Sequence, residues 1–182
     1  MFLTLDYIKF YMKENNINND IDSKSFKKSL GILNIDKGNN KIWEIKIKGP
    51  KDSLYENGLF MVTIDFTKNF PEKAPEIRIK NKIYNLCVNP NNGHIDSSFL
   101  ICWDKSTLIS EILVGIYLFF IFEQDTNPDS VYSVFMMREY NSNREEFNRK
   151  AREWTKEYAQ PSLSAHTWSA ACIRLADIRP TS

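Results

Sequence analysis

Apolar and polar residues alternate along the chain in a way that predicts one helix and then a series of short strands. Near the N-terminus, apolar residues recur close to helical spacing, so the first dozen residues are predicted to form an amphipathic helix (Phe2, Leu3, Leu5, Ile8 and Met12). A polar, Asn-rich stretch over residues 15–24 is interpreted as a loop. Strand signals follow at residues 30–35, 43–48, 59–66 and 77–79, and their close spacing predicts an antiparallel meander.

The second half of the chain reads as an irregular segment followed by helices. Residues 84–106 show no periodicity and are rich in Asn, Pro, Gly and Ser. Residues 108–123 are apolar nearly all round, which predicts a helix at the centre of the core. A shorter helix from about residue 131 and a charged amphipathic helix over residues 143–158 are predicted after it. Strands and helices that are segregated in this way are typical of an α+β domain.

Composition and charge restrict the kind of partner. The chain has 182 residues, of which 42% are hydrophobic and 26% charged, and its formal net charge is +1. This balance argues against duplex DNA or an anionic membrane as a partner. The longest apolar run, residues 112–122, is shorter than the roughly 20 residues that cross a bilayer. Without the pattern of a signal peptide, a cytoplasmic or nuclear location is expected.

The cysteines and histidines suggest neither a disulfide framework nor a metal site. Three cysteines are scattered along the chain without a Cys-x-x-Cys pair, and two histidines are too few for a His-rich site (Cys87, Cys102, Cys172, His94 and His166). We therefore expect no metal or other cofactor. Residues 160–182 contain no Asn, Lys or Glu, unlike the rest of the chain, and are interpreted as a flexible tail or expression-vector remnant outside a domain of residues 1–159.

Several segments together resemble ubiquitin-conjugating enzymes. The segment IWEIKIKGPKDSLYENGLFMVTIDF, followed by FPEKAPEIRI, resembles the second and third strands and the Pro-rich turn of that family. ISEILVGIYLFFIFEQDTNPDS resembles the central helix and the loop after it, and NREEFNRKAREWTKEYA is similar to the last helix of the small, single-domain members. The resemblance covers roughly residues 43–159, with a weaker match for the first helix. It implies the family fold, the UBC fold: an N-terminal helix, a four-stranded antiparallel meander, then C-terminal helices.

The resemblance also implies which chemistry to look for. In the family, a partly exposed cysteine thiolate accepts ubiquitin from an activating enzyme as a thioester, and a substrate lysine then attacks it. The Asn of a His-Pro-Asn motif donates to the tetrahedral oxyanion. An acidic residue beyond the central helix orients the lysine.

One alignment places other residues at all of these positions. It lays KIYNLCVNPNNGHID on the family pattern Tyr-His-Pro-Asn…Gly-x-Ile-Cys with one inserted residue. Cys87 then stands at the oxyanion Asn and Asp96 at the catalytic cysteine. Ser98 replaces an acidic residue that the family carries beside that cysteine, and Ser130 replaces the acidic residue beyond the central helix. Since Asp96 cannot hold a ubiquitin thioester, this alignment implies a variant without thioester chemistry. Cys87 and Cys102 are then expected to be small buried hydrophobic residues.

A second alignment keeps the chemistry. It takes Asn89-Pro90-Asn91 as the motif and LICWD as the family's Ile-Cys-Leu-Asp, so Cys102 is the nucleophile and Asn91 the oxyanion donor. It needs many more insertions and deletions and leaves Trp103 without a family counterpart. The first alignment is favoured, and both stay open at this point.

The surface that the family uses for partners is altered as well. The Pro-rich turn carries Glu72 where family members that bind RING or HECT ligases insert an apolar residue, which is expected to weaken ligase binding. The positions that the resemblance assigns to partners are Lys9, Lys13, Pro71, Glu72, Lys73, Trp103 and Asp104. Expected partners are ubiquitin, a ubiquitin-like protein, an active conjugating enzyme or an activating enzyme.

Three functions follow from these alternatives. The leading one is an inactive, ubiquitin-conjugating-enzyme-like protein of the ubiquitin pathway that acts by binding ubiquitin or an active conjugating enzyme. The alternative is an active enzyme that forms a ubiquitin thioester on Cys102 and transfers it to lysine. The third is a scaffold role unrelated to ubiquitin, which no residue pattern favours.

Overall fold

A computed structural model describes residues 4–38, 41–95, 103–122 and 133–160 of the chain. In chain order, its elements are α1 (Leu5–Glu14), α2 (Lys24–Ser29), β1 (Ile32–Asp36), β2 (Ile42–Lys48), β3 (Leu59–Asp65), β4 (Glu76–Ile79), α3 (Ile109–Ile121), α4 (Val134–Ser142) and α5 (Arg144–Tyr158). Among the described helices, none has the combination of length and apolar composition that a membrane-spanning helix requires.

The four strands form one antiparallel sheet in the order β1-β2-β3-β4, as the strand spacing predicts. Strands β2, β3 and β4 place alternate apolar residues on one face, and these residues are buried (Ile45, Ile47, Phe60, Val62, Ile64, Ile77 and Ile79). Register is therefore determined by burial, because a slip of one residue would expose the whole set. β1 contains an irregularity between Ile32 and Asn34, and Leu33 at this bulge remains 49% exposed.

Helix α3 packs against the buried face of the sheet and is the centre of the core, as its apolar pattern predicts. The ring of Phe120 lies 4.9 Å from that of Phe60 in β3 and 5.6 Å from that of Tyr55. The helix begins after Leu108, whose backbone N–H donates to the Glu111 carboxylate at 2.8 Å. This contact satisfies one of the N–H groups that the first helical turn leaves free.

Two helices differ from the sequence prediction. The polar stretch interpreted as a loop is followed by α2, whose six residues are too few to show helical periodicity. Its start has a local cause, since the Ser23 hydroxyl accepts from the backbone N–H of Phe26 at 3.1 Å. Within the described residues α4 starts at Val134, later than predicted.

The last helix joins the end of the domain to the sheet. The backbone N–H of Leu59 donates to Ala159 O at 2.7 Å, and Asn81 Nδ2 donates to Tyr158 O at 3.0 Å. The predicted tail lies outside the described residues apart from Gln160, so its interpretation as a tail stays a prediction.

Candidate functional site

A tight hairpin follows β4 in the segment that the sequence marks as irregular. Val88 and Ile95 form an antiparallel bridge, and Asn89 N–H donates to His94 O at 2.8 Å. The turn between them closes at Gly93, whose φ of 71° favours glycine and whose N–H donates to Asn89 O at 2.9 Å. The returning strand also pairs with the edge of the sheet, because Ile95 N–H donates to Ile77 O at 2.9 Å. The hairpin is thereby held against β4.

Directly before the hairpin, Asn85 is almost fully buried and links its own segment, residues 84–87, to the loop that contains Tyr55. Its Nδ2 donates to the Tyr55 hydroxyl at 2.8 Å, and its Oδ1 accepts from the backbone N–H of Cys87 at 2.8 Å. The Tyr55 hydroxyl in turn donates to the Tyr84 carbonyl at 3.2 Å. Asn85 is 1% exposed and Cys87 6% exposed. The backbone around Cys87 is therefore held in place by side chains rather than by a regular ladder.

Tyr84 connects this segment to the C-terminal helices. Its hydroxyl donates to Glu139 Oε2 in α4 at 2.6 Å, and Lys150 in α5 forms an ion pair with the other oxygen of the same carboxylate. Burial, followed by the contact with Glu139, raises the pKa of Tyr84 above its usual range. Tyr84 thus remains a neutral hydrogen-bond donor at physiological pH.

The structure describes only part of the predicted catalytic set. Cys87 is buried, as expected of a structural cysteine, and Asn91 lies exposed in the hairpin turn, where its N–H donates to Asn89 Oδ1 at 2.9 Å. Asp96, Ser98, Cys102 and Ser130 lie outside the described residues. Both assignments of the nucleophile therefore stay predictions.

Five of the seven residues assigned to partners lie on two loops. Trp103 Nε1 donates to Pro71 O at 2.8 Å, and its ring lies 5.8 Å from that of Phe70. This contact holds the Pro-rich turn against the loop that precedes α3. At the tip of these two loops, Glu72 and Lys105 are both largely exposed, and Lys105 Nζ lies 3.8 Å from Glu72 Oε1. The surface therefore carries charge where an apolar anchor is expected in ligase-binding relatives.

Helix α1 carries the other two residues assigned to partners, and one of them, Lys9, lies near Asp104. Asp104 accepts from Ser106 N–H at 2.6 Å, and the two contacts from Ser106 lower the pKa of its carboxyl group. Lys9 in α1 and Lys105 lower that pKa further through their charge. Lys13 lies in the last turn of α1. Lys73 closes the Pro-rich turn, because its N–H donates to Asn69 O at 2.9 Å.

Sequence reasoning missed the buried polar contacts of this site. In the sequence Tyr55 is only one residue of a segment that resembles the family strands, whereas in the structure its hydroxyl lies between Tyr84 and Asn85. Glu139 was not singled out, and its position on the face of α4 next to Tyr84 depends on tertiary packing alone. No three His, Cys, Asp or Glu side chains gather into a possible metal site among the residues that the structure describes.

The UBC fold is defined by the elements described above: an N-terminal helix, an antiparallel meander, a hairpin beside the sheet edge, a buried central helix and a pair of C-terminal helices. The family model for ubiquitin-conjugating enzymes matches residues 12–155. Because this match spans most of the chain, the protein belongs to the ubiquitin-conjugating enzyme family. That membership supports a place in the ubiquitin pathway, where family members interact with ubiquitin, activating enzymes and ligases.

A solved structure supports the same fold. The chain is similar to a Plasmodium yoelii protein assigned to the ubiquitin conjugating enzymes, with 23% sequence identity and a TM-score of 0.62. The match covers 88% of this chain and 97% of that one. At this level of identity the likeness concerns the fold, which confirms the fold class implied by the sequence.

Proposed function

We propose that this protein is a family member without thioester chemistry, which acts by binding ubiquitin, a ubiquitin-like protein or an active conjugating enzyme. The observation that carries the proposal is the buried position of Cys87, held by Asn85, beside the Val88–Ile95 bridge. It favours the first alignment, in which Cys87 replaces the oxyanion donor and Asp96 replaces the nucleophile.

The hairpin supports that alignment for a geometric reason. The family pattern Tyr-His-Pro-Asn…Gly-x-Ile-Cys requires the donor and the nucleophile to approach each other. In the first alignment the donor position directly precedes Val88, and the nucleophile position directly follows Ile95, its bridge partner. In the second alignment the motif centres on Pro90 and Asn91, which belong to the turn, and the Asn91 N–H donates to a side chain of that same turn.

The chemistry of the substituted residues supports inactivity. A carboxylate at the nucleophile position is a poor nucleophile, and its acyl product with ubiquitin would be a labile anhydride. A nucleophilic cysteine must be partly exposed, whereas Cys87 is 6% exposed and is unsuited to replace the missing thiol. The charged tip formed by Glu72 and Lys105 further supports weak binding to ligases with an apolar groove.

A charging assay tests the loss of activity. The full chain is incubated with activating enzyme, ATP and ubiquitin, alongside Cys102→Ala, Cys87→Ala and an established conjugating enzyme as a control. We expect no reductant-sensitive ubiquitin adduct on the chain while the control enzyme charges. An adduct that is lost only in Cys102→Ala would establish the alternative, an active enzyme that transfers ubiquitin from Cys102 to lysine.

The binding role needs its own measurement. Titration of the isotopically labelled chain with ubiquitin, a ubiquitin-like protein and an active conjugating enzyme, followed by NMR, is expected to shift a contiguous set of surface resonances with one of them. Absence of binding to all three would contradict this role even if no thioester forms.

A further inference from the structure

A small cavity lies between the loop that joins β2 to β3 and the helices α3, α4 and α5. Its volume is about 190 Å³, and none of its lining residues belongs to a strand or to the hairpin. We call it the Asn148 cavity, after the polar residue of α5 that lines it. A cavity of roughly 150 Å³ is enough to hold a benzene molecule, so the space exceeds what a single water molecule needs.

The inner wall of the Asn148 cavity is apolar and firmly packed. It includes Leu54, Tyr55, Phe120 and Tyr140, of which the three aromatic residues are buried. The rings of Tyr55 and Phe120 lie 5.6 Å apart, edge to face, and the ring of Tyr140 packs in the same manner on Phe147 at 5.0 Å. Because this arrangement is favourable for aromatic pairs, the wall keeps its shape and presents aromatic surface to a flat ligand.

The loop on the opposite side of the cavity is held by its own hydrogen bonds. Ser53 Oγ donates to Pro50 O at 2.7 Å and accepts from Tyr55 N–H at 3.2 Å. Asp52 has a left-handed φ of 64°, and its N–H donates to the Glu56 carboxylate at 3.2 Å. These contacts fix the loop beside the cavity without using any polar group of α5.

Asn148 is the residue of this cavity that packing does not explain. Its Oδ1 is buried, yet it has no hydrogen-bond partner among the residues that the structure describes. A buried polar atom without a partner lowers stability, and such atoms are rare in native proteins. Asn is also a weak helix former, and Asn148 lies inside α5, one turn after Arg144. The side-chain oxygen is therefore available to accept a hydrogen bond from a bound molecule.

The charged residues at the cavity balance each other. Among its described lining residues, Asp52 carries a negative charge and Arg144 a positive one. The Arg144 guanidinium lies over the Tyr140 ring, 3.3 Å from its centre. A strongly charged ligand, such as a phosphate or a polyamine, would meet a like charge as well as an opposite one. The balance therefore favours a neutral ligand.

We propose that the Asn148 cavity binds a small, neutral aromatic molecule with one O–H or N–H donor, of the phenol or indole class. The ring packs against Phe120 and Tyr140, and the donor is directed at Asn148 Oδ1. Water alone would leave the apolar wall wetted, and an aliphatic chain would leave Oδ1 without a partner. The inference concerns a cavity separate from the hairpin and from the partner loops, and it does not rest on the proposed function.

An NMR titration of the isotopically labelled full chain tests the proposal. The probes are indole and indene, which has a CH₂ group in place of the indole N–H. We expect indole to cause saturable shifts at the lining residues, with a Kd below about 1 mM. N-acetyltryptophanamide carries the same ring on a peptide backbone. Since sites for larger ligands have volumes of about 300–1,000 Å³, it should bind at least about tenfold more weakly than indole.

Asn148→Leu tests the role of the acceptor. Indole and indene differ in how readily they leave water, so the informative quantity is the ratio of the indene Kd to the indole Kd. We expect this ratio to fall at least about fivefold in Asn148→Leu. Asn34→Leu makes the same change at an exposed position of β1 and should leave the ratio within about twofold. Leu54→Trp, which fills the cavity, should abolish binding of both probes. Circular dichroism verifies that each variant is folded.

Three results would overturn the proposal. They are the absence of saturable shifts with indole up to about 5 mM, which would leave water as the occupant, an unchanged ratio in Asn148→Leu, and shifts that lie outside the cavity lining. Tighter binding of N-acetyltryptophanamide than of indole would also overturn it, in favour of a side chain of a partner protein. Formation of a ubiquitin thioester would refute the proposed function and leave the expected indole results unchanged.

Discussion

The side-chain amide of Asn85 donates to the hydroxyl of Tyr55 across 2.8 Å, although thirty residues separate the two in the chain. Both side chains are almost fully buried, so bulk water cannot replace either partner, and breaking this hydrogen bond costs free energy. Through Asn85 Oδ1 the contact extends to the backbone N–H of Cys87. A polar pair in the core therefore fixes the backbone at the position that the first alignment assigns to the oxyanion donor.

We expect Asn85→Ala to lower the free energy of unfolding by about 1–3 kcal/mol, because it removes both the donor to Tyr55 and the acceptor of the Cys87 N–H. Urea denaturation measures the change. Asn34→Ala is the matched control, since Asn34 is exposed on β1, and its effect should stay within about 0.5 kcal/mol. A double-mutant cycle with Tyr55→Phe should give a coupling energy of at least about 0.5 kcal/mol. Additive effects would contradict a direct interaction.

Much of the fold is predictable because residues that become buried recur at regular intervals in the sequence. Alternate apolar residues mark β2 and β3, and continuous apolarity marks α3 as central. The short helix α2 has too few residues to show a regular interval, and its start depends on the single hydroxyl of Ser23. The type of an element could thus be predicted wherever the element is long enough for its apolar residues to recur several times.

The candidate site was harder to predict because its contacts join residues far apart in the chain. Trp103 and Pro71 are thirty-two residues apart, and Tyr84 and Glu139 are fifty-five apart. A polar residue such as Asn85 in an irregular segment reads as a loop residue until the fold places Tyr55 beside it. Family resemblance supplied the candidate positions, whereas the partners that hold them become visible only in three dimensions.

Gly49 occupies a position where any side chain would collide with the backbone. A Cβ added there would lie 1.8 Å from the carbonyl oxygen of Tyr55. We expect Gly49→Ala to cost about 3 kcal/mol or more, measured from the urea midpoint. Gly31→Ala is the comparison. Gly31 has a left-handed φ of 63°, but the atom nearest to an added Cβ, Lys48 O, would be 3.4 Å away. We therefore expect this substitution to lower the free energy of unfolding by about 1–2 kcal/mol. Equal costs would contradict the steric explanation.

The bond between Trp103 and Pro71 should matter for the two partner loops. Trp103→Phe keeps an aromatic ring beside Phe70 but removes the Nε1 donor, and we expect a loss of about 0.5–1.5 kcal/mol in the free energy of unfolding. NMR relaxation should show faster motion around Glu72 and Lys105. Trp43→Phe serves as control, because Trp43 packs on Phe66 and its Nε1 has no hydrogen-bond partner within the described residues. An unchanged loop in Trp103→Phe would contradict the role of this bond.

Glu76 should give the stability a defined pH dependence. The contact from Lys68, followed by that from Arg78, lowers the pKa of its carboxyl group below the ordinary value of 4.5. Because the folded state favours the ionised form, the contribution to stability is present above that ordinary value and is lost as pH falls through the lowered pKa.

We therefore expect Glu76→Gln to be less stable than the natural chain by about 0.2–1 kcal/mol at pH 7, and the difference to disappear in strong acid. Urea denaturation across a series of pH values measures it. Glu157→Gln is the control, since Glu157 is exposed in the last turn of α5, where the helix dipole does not favour a carboxylate, and it should cause no loss at pH 7. A stability difference for Glu76→Gln that persists unchanged at low pH would show that the ion pairs are not its cause.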